Sequence, residues 1–570
     1  MTPDPLSFFT IDHGTASTAA ALIAPVGGRF RLLAAATAPR GISVEAILGD
    51  LVGRVRATEP TLLVAADDWP SWARLEVATY RPLRVVCAAG SEDRADELAR
   101  ACRVAGWEVA ARFAGPRVDA LSLTEACLDR AVSVVALAGG EPPAPDERVG
   151  IALLAPMVAA TLQRRPDLRV VLSGGASGWA DPFPAERVAH APTTGPELRG
   201  GSAGAARFFL ELAARWVPSA SGVQLPDGRQ AFTVGAASLA TLLDRAVDAV
   251  DVGHAAGLRA VATPDGTVEW VLRADAALVP SQAMTDDDEA DTILRWCALD
   301  AEHFVLRDRI RNLGLAPWRE AAGDGARLRL AALRASLVRL SSAWTGGHPE
   351  APRERRTAAT RRRFSSGMAL SGSGARIGRS SATRGATAVP DLVVASGGAF
   401  AAVPAPIAAL ALLDGLRRPG ARTLLWDHAR LLGPMGTLGE ESDRRRLMAD
   451  LLDDAFVPLA SALVAGGLHH GRPATLRVTS PVGSSESSLA AGSLRTMDLP
   501  PGVTARVEIE ARDPVMVGVR ARHVAMDLTG GLAGMLVDGR ETPLRLHERA
   551  DRRRAQLDGW ERGLWAGLEP

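Results

Sequence analysis

The feature that most constrains this fold is a short unbroken apolar run that ends in glycine, repeated along the chain. It appears as "RPLRVVCAAG" (81–90), "VSVVALAGG" (132–140), "LRVVLSGGASG" (168–178) and "DLVVASGGAF" (391–400). Runs that do not alternate with polar residues read as strands buried on both faces. Between them lie amphipathic stretches. "EDRADELARACRVAG" (92–106) places Leu98, Cys102 and Val104-Ala105 inward, with Gly106 at its C-cap, and "IALLAPMVAATLQRR" (151–165) is a second helix. Strands separated by covering helices define an α/β class, and in such sheets ligands gather at the strand ends.

At 570 residues the chain exceeds what one core supports. Residues 1–230 alternate strand and helix and are expected to form a first lobe. Residues 231–454 restart the pattern with "VDAVDVGHAAGLRAVATPDGTVEWVLR" (247–273), which reads as three strands joined by tight turns. This second unit contains a helical segment, 284–343, and an Arg-rich segment, 345–390, with nine Arg between 353 and 384 against one Glu. That segment reads as a solvated connection: no aromatic residues are interleaved for base stacking. Residues 455–570 turn β-rich and end in a helix, the expected signature of a small β-module.

Composition removes several function classes. The 65 basic and 65 acidic residues cancel, so no bulk field favours nucleic acid or an anionic membrane. All 65 basic residues are Arg; without Lys there is neither a Schiff-base lysine nor the lysine that reaches the phosphates in P-loop enzymes. The four cysteines are scattered without Cys-x-x-Cys spacing, which argues for reduced thiols. No uncharged apolar run approaches the roughly 20 residues of a membrane span, and "MTPDPLSFF" lacks a basic leader, so a cytoplasmic location is expected. Neither a Gly-x-Ser-x-Gly elbow nor a His-Glu-x-x-His pair is present.

"FFTIDHGTASTAAALIA" (8–24) leaves one apolar run at Asp12, turns through Gly14, and returns at once as another. A plain hairpin needs only the turn residues. A phosphate loop needs more: a glycine for close backbone approach, hydroxyls aimed at the ligand, and a carboxylate for its metal. Asp12, Gly14, Thr15, Ser17 and Thr18 supply all three types. "VDVGHAAGLRAV" (250–261) repeats the design with Asp251, Gly253, His254 and Ala255, and "ASGGAF" adds a third glycine turn at Ser396, Gly397 and Gly398. Two such loops, one opening each unit, imply related lobes facing a cleft.

In order along nearly the whole chain, "FFTIDHGTASTAAALI", "VVALAGGE", "VDVGHAAGLRAV", "VVASGGAFAAVPAPIAALALLDGL", "LLWDHARLLGPMGTLG" and "LTGGLAGMLVDGRETPLRL" form a series. The series resembles the glutamate mutase L family of reactivating proteins for adenosylcobalamin-dependent mutases. That family is a branch of the actin-like, sugar-kinase and heat-shock-chaperone ATPase superfamily. The resemblance implies two actin-like (ribonuclease-H-like) lobes and ATP with Mg²⁺ in the cleft. It further implies Asp12 and Asp251 as catalytic and metal-binding carboxylates, and a cobalamin-dependent mutase as protein partner. Gly14–Thr18 and Gly253–Ala255 would bind the β- and γ-phosphates, and Ser396–Gly398 would bound the adenosine.

The departures are equally specific. The lysine that ends the family's first loop is here an alanine within "STAAALI", and the Thr-Thr-Asp of its second loop is replaced by Gly257-Leu258-Arg259. Each hydroxyl lost at a phosphate costs about 1.5–3 kcal/mol of charge-assisted hydrogen bonding. The leading expectation is an ATP-dependent reactivating factor for such a mutase, and these losses speak for the alternative, a non-catalytic pseudo-ATPase scaffold that binds a partner protein; a small-molecule kinase would also need a general-base carboxylate, and no candidate is evident. His13 and His254, each beside a loop aspartate, raise two alternatives: His254 as a third metal ligand with Asp12 and Asp251, or both histidines as plain loop residues.

Overall fold

The computed structural model describes residues 7–63, 66–115, 118–193, 204–216, 225–343, 386–387 and 391–565. The Arg-rich segment expected at 345–390 lies outside the described residues apart from 386–387.

The chain opens with three antiparallel strands, β1 (Phe8–His13), β2 (Ser17–Val26) and β3 (Arg29–Pro39), then α1 (Val44–Thr58) and β4 (Ala73–Ala78). They form a sheet of order β3-β2-β1-β4 in which β1 and β4 are parallel. The small apolar residues of β2 are buried on both faces. Ala20 and Leu22 pack with Phe9 and Ile11 against Leu48 and Leu51 of α1. Ala21 and Ile23 join the opposite core. That two-sided burial is why this strand shows no alternation.

The chain then leaves this sheet. β5 (Arg84–Ala89), α2 (Glu92–Val104), β6 (Glu108–Ala114), α3 (Ala120–Leu128), β7 (Val134–Gly139), α4 (Pro145–Arg164), β8 (Arg169–Gly174), β9 (Val188–Ala191) and α5 (Gly204–Trp216) follow. These five strands make their own parallel sheet, β6-β5-β7-β8-β9, with a core on each face. Residues 1–230, expected as one lobe, thus hold two sheets. The second is an insertion whose ends run side by side: Ala78 N donates to Pro226 O at 3.0 Å, and the Tyr80 hydroxyl donates to Leu225 O at 3.2 Å.

α6 (Gly228–Leu243) leads into β10 (Val247–Val252), β11 (Gly257–Ala262) and β12 (Val268–Arg273), then α7 (Asp287–Leu294), α8 (His303–Leu315) and α9 (Gly323–Ala343). Next come β13 (Ala386–Thr387), β14 (Asp391–Ser396), α10 (Gly398–Ala401), α11 (Ala405–Gly415), β15 (Gly420–Asp427), α12 (Leu432–Met435) and α13 (Glu441–Ala455). The sheet order β12-β11-β10-β14-β15, with β10, β14 and β15 parallel, repeats the plan of the first sheet. The protein is therefore α/β, with two lobes of like sheet plan around a cleft.

The tail contains β16 (Phe456–Val464), β17 (Ala474–Ser480), β18 (Gly483–Leu489), β19 (Leu494–Met497), β20 (Thr504–Val517), β21 (Val519–Thr529), β22 (Met535–Asp538) and α14 (Ala550–Trp565). It is β-rich, but the second lobe's sheet runs across residue 455. β16, β22 and β19 extend that sheet beyond β15, while β13, β21, β20, β17 and β18 form a separate sheet sharing a core with it. α14 is held through Glu561, which pairs with the buried Arg334; Arg334 also donates to Asp414 at 2.8 Å.

The lobes join through α6 and α13. At Gly235 a Cβ would stand 2.2 Å from Leu432 O, and at Gly436 it would stand 1.9 Å from Ala231 O, so α6 and the α12 turn press together backbone to backbone. Arg31 of β3 donates to both carboxylate oxygens of Asp454 on α13, at 2.6 and 2.7 Å.

Candidate functional site

Both aspartate loops sit at strand ends and face each other. The β1–β2 connection is closed by Gly14 N donating to Asp12 O at 3.1 Å, and the β10–β11 connection by Gly253 N donating to Ala256 O at 3.0 Å. One cavity of about 50 Å³ lies between them. The first lobe lines it with Asp12, Gly14, Thr15, Ala16 and Ser17. The second lines it with Asp251, Gly253, His254 and Ala255, and with Gly397 and Gly398 at the end of β14.

Two of the residues expected here stand behind the cavity. Thr18 is buried in β2, paired across the sheet with His13. Ser396 donates its hydroxyl to Asp427 Oδ2 at 3.0 Å, beneath the turn. His13, whose neighbours face the cleft, points to the other face of β1, where its Nε2 shares a hydrogen bond with Glu76 Oε2 at 3.0 Å.

Gly397 has a local explanation. Its φ is +97°, and a Cβ there would lie 2.1 Å from Asp251 Oδ1 and 2.6 Å from Val252 O. Glycine is required so that β14 can turn directly against the second aspartate loop. At Gly398 a Cβ would be 3.5 Å from Ser17 Oγ, so the lobes meet at this point.

The residue that sequence reasoning missed is Arg430. It follows β15 in a turn whose shape Asp427 sets: that carboxylate accepts from Leu431 N at 2.7 Å and Leu432 N at 3.1 Å. Arg430 adopts φ +54°, the left-handed region, at a cost of about 1–2 kcal/mol for a residue with a Cβ. The reward is direction. Its guanidinium crosses the cleft, donating from Nη1 to Asp12 Oδ2 at 3.2 Å and from Nη2 to Ser17 Oγ at 3.0 Å. The only sequence signal is a charged residue inside the otherwise apolar turn "ARLLGPMG" (429–436).

Other wall residues also came from unexpected places. Leu258, Leu272 and Leu278 make an apolar side, and Pro317-Trp318 reaches in from the helical segment. Arg259, in place of a polar loop residue, points into the core and pairs with both oxygens of Asp248 at 2.9 and 2.8 Å.

Burial dominates the electrostatics. It raises the Asp12 carboxyl above its usual range, against the opposing charges of Arg430 and His13. Burial also pushes Asp251 up to about 7; the negative charge of Asp12 adds to this, Arg430 opposes it, and Asp427 and Arg229 act more weakly in opposite senses. His254 is pushed down by burial and by Arg81, and its buried Nδ1 has no hydrogen-bond partner.

As placed here, these residues do not by themselves form a divalent-cation site. In a nucleotide cleft Mg²⁺ is held by one or two ionised carboxylates, its shell completed by waters and substrate phosphates. Asp12 already faces a guanidinium, burial and the charge of Asp12 disfavour the ionised form of Asp251, and no group of three or more His, Cys, Asp or Glu is gathered for a metal among the described residues. The expected Mg²⁺ ligands, Asp12 and Asp251, and the proposed third ligand His254 share a cavity without forming a coordination shell. The cavity is lined by glycine backbone, the Thr15 and Ser17 residues and the Arg430 guanidinium, and its volume is well below the roughly 300–1,000 Å³ of a drug-sized ligand pocket.

No family model matches the chain, and no curated protein sequence matches it. Among solved structures it is similar to nucleotide-free acetone carboxylase from the study of ATP-dependent acetone carboxylation, at 10% identity and TM-score 0.28 over 84% of this chain and 80% of that one. It is also similar to the type II variant of the Aquifex aeolicus Ppx/GppA phosphatase, at 11% identity and TM-score 0.16 over 58% and 71%. A third similarity is to the PilM–PilN type IV pilus biogenesis complex, at 14% identity and TM-score 0.16 over 59% and 85%. Among the described residues no helix is long and apolar enough to cross a membrane.

Proposed function

We propose that this protein is an actin-like pseudo-ATPase. It holds a nucleoside triphosphate between its lobes without turning it over, and passes the resulting closure to a protein partner. The observation that carries this reading is the Asp12–Arg430 pair. The carboxylate that an ATPase of this fold needs free is instead occupied by a guanidinium from the opposite lobe. The loops around it keep the means to bind: Gly14 to Ser17 present backbone and hydroxyls, and Gly253 to Ala255 present backbone. Hydrolysis additionally requires a positioned water and stabilised charge on the transferred group, which the apolar wall of Leu258, Leu272 and Leu278 does not supply.

Two lobes packed on α6 and α13 are suited to hinge motion about that axis. The likeness of the six co-linear segments to glutamate mutase L proteins supports a partner of the adenosylcobalamin-dependent mutase class, with reactivation by exchange of damaged cofactor as the task. Titration calorimetry with ATP and a phosphate-release assay test this reading together. Binding tighter than about 1 mM (roughly 4 kcal/mol), with no phosphate release above buffer, is expected. Phosphate release that disappears in Asp12→Ala would overturn the pseudo-enzyme reading. No heat with ATP would leave a scaffold whose cleft is not a nucleotide site. The partner is tested by gel filtration with a purified adenosylcobalamin-dependent mutase, where co-elution is expected and separate elution refutes the mutase assignment.

A further inference from the structure

We infer that Arg430, with Arg229 lining the same cavity, takes the place of a divalent cation, so that the cleft recognises a polyphosphate anion without metal. The nucleotide reading above supplies the identity of that anion; the charge arrangement supplies the rest.

Arg430 is buried, 6% exposed, at the point where the lobes touch. Its hydrogen bonds run to Asp12 and Ser17, while Nε is buried without a partner among the described residues. The pair with Asp12 is single and 3.2 Å long, where a charge-assisted N–H···O bond settles at about 2.7–2.9 Å and an ideal guanidinium–carboxylate pair is two-pronged. The guanidinium therefore keeps donor capacity that Asp12 does not use.

Its surroundings suit an incoming anion. A Cβ at Gly14 would lie 3.4 Å from Nη1 and one at Gly398 would lie 4.0 Å away, so glycine backbone from each lobe borders the guanidinium. Phosphate oxygens can approach such a surface closely, with backbone N–H groups nearby. Arg229, at the start of α6, lines the same cavity, its Nη2 donating to Tyr80 O at 3.1 Å. A guanidinium meets a phosphate in the same planar fork as a carboxylate, so the donors of Arg430 that Asp12 leaves unused can take the oxygens of an anion while the contact with Asp12 stays in place. The left-handed backbone at Arg430, fixed by the Asp427 cap, holds the side chain in the cleft before any ligand arrives.

The test is calorimetry on the full-length chain with ATP and, separately, inorganic pyrophosphate, each in excess magnesium and in excess EDTA. The same titrations are run on Arg430→Ala and Arg430→Lys, with thermal melts confirming that both variants fold. ATP affinity unchanged by EDTA, and weakened about tenfold or more in both variants, is the expected result. Arg430→Lys keeps the charge but loses the fork, so its failure to rescue separates directed recognition from a general positive field. ATP binding that requires magnesium, or that survives Arg430→Ala, overturns the inference while leaving the nucleotide reading intact. Pyrophosphate binding in EDTA that depends on Arg430, with no ATP binding, upholds the inference and removes the nucleotide reading. No binding of either anion overturns both.

Discussion

Asp12 and Asp251 stand on the same local design, a strand end followed by a small-residue turn and an antiparallel return, yet the structure gives them different electrostatic lives. Asp12 has a guanidinium at 3.2 Å. Asp251 has the negative charge of Asp12 as its largest charged influence and is pushed up to about 7. The packing differs too. The first loop has Gly14 with an ordinary φ, whereas the second is overlaid by Gly397 at φ +97°. Two copies of a motif are thus one charge-paired site and one proton-holding site, and the difference comes from what each loop meets across the cleft.

The largest expected effect is on the packing side of this comparison. Gly397→Ala forces a Cβ against Asp251 Oδ1 and Val252 O on a backbone that disfavours any side chain. A destabilisation of about 4 kcal/mol is expected from overpacking combined with strain. Gly14→Ala, at ordinary φ but with its Cβ 2.7 Å from Ser17 O, should cost less. Urea denaturation of the two variants measures the contrast, and equal losses would show that the two loops are packed alike.

Next is the charge pair. Asp12→Asn leaves the Arg430 guanidinium buried without its counter-charge, a change that costs about 3 kcal/mol when a buried pair is broken. Because Asp12 retains some exposure, the loss should fall at or below that figure. Asp12→Asn combined with Arg430→Gln should recover part of the stability; a double variant as unstable as the sum of the singles would deny the coupling.

The smallest effect is pH-dependent and sharpens the contrast most directly. The folded pKa of Asp251, about 7, lies above its ordinary 3.8. The stability associated with its protonated form is fully present below the unfolded value and is lost as pH rises through about 7. Asp251→Asn should therefore be close to neutral at acid pH and stabilising at pH 8, by about 1.4 kcal/mol for each unit of the shift that the folded protein realises. Urea midpoints at the two pH values check this. A variant less stable than the natural protein at pH 8 would mean that ionised Asp251 is satisfied in the fold.

Much of the architecture could be read in advance, because it rests on local pattern. Unbroken apolar runs became buried strands, and the three-strand reading of 247–273 matches β10, β11 and β12. Domain limits were less legible. The insertion holding β5 to β9 reads as more of the same alternation, since nothing in strand and helix periodicity says which sheet a strand joins. The tail from 455 reads as independent because its β texture changes, yet β16, β19 and β22 pair into the second lobe's sheet. Strand pairing is a long-range choice, and composition does not encode it.

The sequence by itself determined the two aspartate turns, the glycines that let backbone come close, and the absence of any lysine to meet a phosphate. These are properties of residue type and near neighbours, set by allowed φ and ψ and by side-chain chemistry. Only the tertiary structure decided that Arg430, 418 positions from Asp12 in the chain, would be its partner. It likewise decided that Asp251 would sit where burial and a like charge hold its proton. Charge state depends on distance and solvent exclusion in space, and those exist only once the lobes have packed together.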